Sequence, residues 1–240
     1  MLPLVLSSAA MGQQDEFEMA NKFYEQRDYE SAIRMYRSVL NQGVESAPLH
    51  FNLGNAYFKD GDLGRAVLYY MKARRLDPSD VDISHNLEFA RRYSRVQMEG
   101  VKLNPVSSFF ESVVAGYRLD VMAWVSSIFF VMVICLIAVM KALSLSSPVV
   151  RIFVVISLTL AVVASSLTTF KYRTDYLTRR AVIVAEEAPV FTGPSEQADQ
   201  ELDAAPGLIV EILGESDGFY NVLFENKRRG WLQKQLVAEI

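Results

Sequence analysis

Residues 121–140 read VMAWVSSIFFVMVICLIAVM, and residues 152–170 read IFVVISLTLAVVASSLTTF. Neither run holds a charged residue. Asp120 and Lys141 bracket the first, Arg151 and Lys171 the second. A helix needs about 20 apolar residues to cross the hydrocarbon of a bilayer, and both runs meet that length. Inside lipid every backbone N–H and C=O needs an internal partner, so each run is expected as a helix. The break between them carries Ser144, Ser146, Ser147 and Pro148 and is too short to hold a domain. The reading is therefore a transmembrane hairpin over 121–171, with the chain before and after it on one side of a membrane.

Bulk composition narrows the classes of partner. The net charge is −4, and nucleic-acid phosphates would repel such a surface, so no nucleic-acid partner is expected. The single cysteine, Cys135, lies inside the first apolar run. It reads as a small hydrophobe, and no disulfide or cysteine metal site can form within one chain. Met1 to Ala10 is a short apolar stretch with Ser8 and Ala10 at the spacing a signal peptidase prefers, although it holds no basic n-region, the first basic residue being Lys22. Residues 1–14 thus read either as the end of a secretory signal or as an apolar tail.

Between Phe17 and Arg95 the chain repeats itself. Met19, Ala20, Phe23, Ala32, Tyr36 and Val39 recur as Leu53, Gly54, Tyr57, Ala66, Tyr70 and Ala73. A repeat of that length is the mark of stacked helical hairpins. Arg27-Asp28 and Gly61-Asp62 are the turns, with Asp28 and Asp62 placed to cap the helices that follow. Ala20 and Gly54 allow two helices to approach closely. Ala32 and Ala66 sit where the second helix crosses the first. Pro78 ends the second copy. A last helix over Val81 to Tyr93 is expected to cap the stack, with Ile83, Leu87 and Ala90 inward and Arg91, Arg92 and Arg95 toward water.

The pattern, and N-L-G-N-A-Y-F-K-D-G-D at Asn52 to Asp62 above all, resembles the tetratricopeptide repeat. Departures are Glu16 and His50 at the usual tryptophan position and the missing proline of the first copy. The resemblance assigns 15–98 to an all-α stack that binds peptides or proteins in a concave groove lined by the first helix of each pair. Carried onto this sequence, the groove residues are Asn21, Asn52, Asn55 and Lys59. His50 and His85 have no cysteine or acid at ligand spacing and read as packing or surface residues, so no metal site is expected.

Residues 99–120 lead to the hairpin. Phe109, Phe110, Val113, Val114 and Tyr117 fall at helical spacing, which fits an amphipathic helix in the membrane interface as well as a plain linker. Trp124 fits an interfacial anchor. Orientation is in conflict. Arg118, Lys171, Arg173, Arg179 and Arg180 on the flanks would draw both ends into the cytoplasm, whereas a cleaved signal would place both outside. The C-terminal module tips the reading toward the periplasmic side of a bacterial inner membrane.

That module, 180–240, changes period. Ala181 to Val184, Leu208 to Leu213, Phe219 to Phe224 and Gly230 to Leu232 are short β-type runs, and Asp217-Gly218 is a hairpin turn signal. Short strands with tight turns over such a length predict a small β-barrel. The stretch G-L-I-V-E-I-L-G-E-S-D-G-F-Y-N-V, followed by R-G-W-L, resembles a bacterial SH3-like domain, with Ala188-Pro189-Val190-Phe191 departing from its usual pattern. The resemblance implies a binding face with Phe219, Tyr220 and Trp231, although Trp231 reads as barrel core before it reads as part of that face.

The expected architecture is multidomain: an all-α stack, a two-helix transmembrane hairpin and a small all-β barrel. That order resembles the aerotolerance-operon membrane proteins of the BatE type. The resemblance implies von Willebrand A-domain proteins and a MoxR-type ATPase as partners, and a role in envelope or oxidative-stress tolerance. The expected function is a non-enzymatic membrane scaffold, with stack and barrel as two separate contacts that raise effective concentration. The alternative is a peptidoglycan-binding accessory acting through the SH3-like module. No phosphate loop, nucleophile elbow or metal spacing is present in the sequence, so neither catalysis nor a cofactor is expected.

Overall fold

The computed structural model describes residues 2–95, 110, 113–144 and 147–240. The chain divides into two compact units, one of Met1–Leu103 with Arg179–Ile240 and one of Asn104–Thr178. Most of the 99–120 segment lies outside the described residues, as do the side chain of Arg95 and that of Ser146 in the hairpin break.

The first unit begins with the helices α1 (Leu2–Glu25), α2 (Tyr29–Asn41), α3 (Ala47–Asp60), α4 (Leu63–Leu76) and α5 (Val81–Arg95). From Leu2 onward, the stretch read as a signal or tail continues α1 without a break. The caps follow the sequence. The Asp28 and Asp62 carboxylates accept from the backbone N–H of Ser31 and Arg65, at 3.1 and 2.8 Å. Gly61 closes α3 in the left-handed conformation at φ 95°, and Arg27 takes the same region at φ 63° in the matching turn of the first repeat. A Cβ on Gly54 would stand 2.7 Å from the Tyr70 ring, so glycine is what lets α3 and α4 close on one another. Ala20, Ala32, Tyr36, Leu53, Ala66 and Tyr70 are all buried in one cluster.

The same unit ends with the strands β1 (Arg180–Ile183), β2 (Ala188–Phe191), β3 (Gln200–Ala204), β4 (Ile209–Ser216), β5 (Phe219–Phe224), β6 (Arg229–Gln233) and β7 (Val237–Glu239). They pair antiparallel in the order β3-β2-β6-β5-β4-β1-β7. Among the described residues β3 and β7 are not joined, so the sheet is open where a closed barrel was expected. It nevertheless surrounds a common core, since Ile183, Val190, Ala204, Val210, Val222, Leu232 and Val237 belong to one cluster. Asp217 and Gly218 both have positive φ, as a two-residue hairpin turn demands.

The second unit holds α6 (Leu119–Ala142) and α7 (Pro148–Tyr172), with a π-helical turn at Arg173–Leu177. Both helices are long and apolar enough to cross a membrane. They pack on each other through Val133, Ser157 and Ala161, and the Ser126 and Thr168 hydroxyls lie 2.9 Å apart. Their outward side chains are uncovered: Trp124 is 72% exposed and Phe130 63%.

Candidate functional site

The first helices of the repeats carry a ladder of asparagines, tied by tyrosines of the second helices. Tyr36 donates its hydroxyl to Asn21 Oδ1 at 2.6 Å, and Asn52 Nδ2 donates to the same oxygen at 3.0 Å. One repeat later Tyr70 donates to Asn55 Oδ1 at 2.7 Å, and Asn86 Nδ2 donates to that oxygen at 2.9 Å. Each rung joins three helices, because the tyrosine comes from the second helix of a pair and the outer asparagine from the next repeat. Asn86 was not among the groove residues expected from sequence. Its signal was there, since it stands one repeat beyond Asn52, as Leu87 does beyond Leu53.

Two hollows flank the ladder. One, of about 240 Å³, is lined by Tyr24, Asn55, Phe58, Lys59, Tyr70, Asn86 and Phe89. The other, of about 190 Å³, is lined by Asn21, Tyr24, Glu25, Tyr36, Asn52 and Asn55. All four expected groove residues, Asn21, Asn52, Asn55 and Lys59, therefore border this surface. Asn21 and Asn55 spend their oxygens on the ladder. Among the described residues no hydrogen bond engages their Nδ2 groups. Phe58, Phe89 and Tyr93 pack as an aromatic shelf of tilted and edge-on rings, with centres 5.5–6.1 Å apart. The surface thus offers amide donors, a shelf for an apolar side chain, the Lys59 cation at one hollow and the Glu25 anion at the other.

Burial raises the Tyr36 phenol to about 12 and pushes Tyr70 higher still. Both remain neutral donors over any physiological range, so the ladder does not depend on pH there. His50 is buried, with Nε2 2.6 Å from Glu45 and its ring stacked on Tyr69. It is a packing residue of the stack.

In the C-terminal sheet, Phe219, Tyr220 and Trp231 do not share a face. Trp231 lies opposite Asn221 and Phe191, and Phe219 opposite Gln233, so Phe219 and Trp231 share one side with Phe191. The Phe191 and Phe219 rings meet edge to face at 6.1 Å. Tyr220 lies opposite Leu232 and packs on the sheet's core instead. Neighbours in a strand alternate, which is why 219 and 220 separate. Tyr220 is also fully engaged: its hydroxyl donates to Glu239 at 2.7 Å, and Arg179 and Lys234 stand over its ring. The Glu239 carboxyl is held below its ordinary value by the Tyr220 hydrogen bond and by Arg179.

The family model of the tetratricopeptide repeat matches residues 17–81, a little over a quarter of the chain. No curated protein matches the sequence significantly. The matched segment ends before Asn86 and leaves the hairpin and the sheet unassigned. Protein–protein interaction is the general role that the repeats support.

Proposed function

We propose that this chain is a non-enzymatic, membrane-anchored adaptor that holds an extended segment of a partner protein across the ladder of Asn21, Asn52, Asn55 and Asn86. The observation that carries this reading is the ladder itself. It orients four amides along one groove. The oxygens of Asn21 and Asn55 are occupied, while their N–H groups have no hydrogen-bond partner among the described residues. Such amides match the carbonyls of an extended backbone, and the shelf of Phe58, Phe89 and Tyr93 gives an apolar side chain a place to rest.

The uncovered apolar faces of α6 and α7 support a bilayer as their solvent, since a soluble chain rarely exposes so large an apolar surface. The packing of stack and sheet in one unit supports a two-pass hairpin whose ends lie on the same side, which we place in the periplasm of a bacterial inner membrane. The resemblance to BatE-type proteins extends the proposal to von Willebrand A-domain and MoxR-type partners in an envelope-stress complex. The sheet's curvature around a single core agrees with an SH3-like module.

The test is capture of partners by tagged full-length chain from solubilised membranes. Lys59→Glu and Phe89→Ser alter groove groups that make no ladder bond, and both are expected to abolish a recovery that the unaltered chain gives reproducibly. Equal recovery with either variant would remove the groove from the proposal. Carbonate-washed membranes should retain the chain; release into the aqueous fraction would remove the anchor.

A further inference from the structure

The two repeats differ along one stripe of their second helices. In α2, Glu30, Arg34, Arg37 and Asn41 form an exposed polar stripe, with the Glu30 and Arg34 side chains 77% and 67% open to water. The matching positions of the second repeat, in α4, are Gly64, Leu68, Met71 and Arg75. Gly64, Leu68 and Met71 are buried. Three positions of a charged stripe have become small or apolar and buried, while Arg75 at its end stays exposed, so α4 buries a second face beside the one it turns to the other helices.

The C-terminal sheet covers that stripe. A Cβ on Gly64 would lie 2.7 Å from both the Ile183 carbonyl oxygen and the Val184 Cα, so the backbone of β1 approaches α4 as closely as a glycine permits. At the other end of the stripe, Arg75 Nη1 donates to the Ile240 carbonyl at 3.2 Å. Between them Val182 is fully buried in the helical core cluster, joined there by Val184, Ile209, Ala238 and Ile240. These side chains occupy one face of the sheet, because Val182 lies directly opposite both Ile209 and Ala238. Ala181 and Ile183, on the other face, belong to the sheet's own core. β1 therefore has a hydrophobic body on each side. A further link joins α5, where Arg91 forms an ion pair with Glu225 in the β5–β6 turn. Arg91, expected to face water as part of a capping helix, is only 18% exposed for this reason.

We infer that the stripe of Gly64, Leu68, Met71 and Arg75 is a docking surface whose occupant is the chain's own C-terminal sheet, which caps the helical stack permanently. Stack, groove and sheet then fold and move as one body, and the hairpin is an insertion in the sequence of that body. The flexible bivalent arrangement of two separate contacts gives way to a single rigid one. The β1–β7 surface is taken and is unavailable to cell wall or to another repeat. The inference is independent of what the groove holds.

The test uses the full chain in detergent micelles, with hydrogen exchange of α1–α4 and of β1–β7 followed along a urea series. One shared midpoint for helices and strands is expected; two separate midpoints would overturn the inference. Leu68→Arg with Met71→Arg copies the charges of α2. It is expected to leave helices α1 and α2 protected while exchange in β1 and β7 accelerates by about tenfold or more. Unchanged strand protection would again overturn it. Should that chain fail to fold, the surface pair decides: Arg91→Ala, Glu225→Ala and their combination should couple by about threefold or more in the unfolding constant, whereas simple additivity would refute the docking.

Discussion

Replacing Asn55 by alanine should cost far more than its half-exposed position in the groove implies. Its Oδ1 is the common acceptor for the Tyr70 hydroxyl at 2.7 Å and the Asn86 amide at 2.9 Å. Tyr70 is itself only 2% exposed, so the variant strands a buried hydroxyl. An orphaned donor of that kind costs about 1–3 kcal/mol, and loss of the Asn86 bond about 1 kcal/mol more. The expected total is therefore about 2–4 kcal/mol. Tyr70→Phe removes the hydroxyl and leaves the Asn86 bond intact, for a cost of about 1 kcal/mol. The double variant has no stranded hydroxyl, so it should be more stable than the sum of the two single losses by about 1 kcal/mol or more. Urea unfolding of the full chain in detergent, followed by helical circular dichroism, measures all four corners of this cycle. An Asn55→Ala chain within about 0.5 kcal/mol of the parent, or strict additivity, would refute the ladder as a structural device. The result also governs how the groove is probed. If Asn55 carries structure, loss of a partner in an Asn55 variant says nothing of binding, and Lys59 and Phe89 become the informative positions.

Four further outcomes are expected. Arg27 sits in the left-handed region at φ 63° where the second repeat has Gly61, so Arg27→Gly should stabilise the stack by roughly 0.5–1 kcal/mol in the same urea assay. Gly230→Ala would place a Cβ 2.2 Å from Val190 Cγ1 in the sheet core, and a loss of about 1–3 kcal/mol is expected. In a spectrophotometric titration of the 11 tyrosines, Tyr36 and Tyr70 should ionise last. Their raised values stabilise the fold below the unfolded phenol value of about 10. That contribution is lost as pH rises through the folded values, so base unfolding is expected above about pH 12. Glu239 behaves oppositely. Its depressed value contributes stability above the unfolded carboxyl value of about 4.3, lost as pH falls through the lower folded value. Because the group is largely solvated, the effect should stay below about 1 kcal/mol. It should appear as faster amide exchange at β7 below about pH 4 that Tyr220→Phe diminishes.

The parts of this protein that were legible in the sequence are those governed by neighbours along the chain. The repeat period, the capping aspartates, the left-handed turn glycine and the Asp217-Gly218 hairpin each act over short stretches, so their spacing is their signature. The apolar runs of α6 and α7 are legible for the same reason. The four groove residues named from the repeat do border one surface. What was not legible depends on which distant element covers a face. Arg91 reads as water-facing because nothing nearby in sequence announces Glu225. The separation of Phe219 from Tyr220 is a different case, since strand alternation is local and follows from their adjacent positions in one strand. Two signals of the docked sheet do lie in the sequence. Ala181 to Val184 is apolar without alternation, as a strand covered on both sides must be. The second repeat has also lost the polar stripe of the first.

Residue order alone thus determined the helical repeat, its caps, the two long apolar helices and the strand-forming C-terminus, because hydrogen bonding and hydrophobic periodicity are local. Tertiary structure alone decided that the sheet stays open and that its β1–β7 face lies on α4. It also decided that the asparagines of successive repeats share their acceptors. Burial is a property of surfaces brought together from opposite ends of the chain, and no single stretch carries both halves of such a contact.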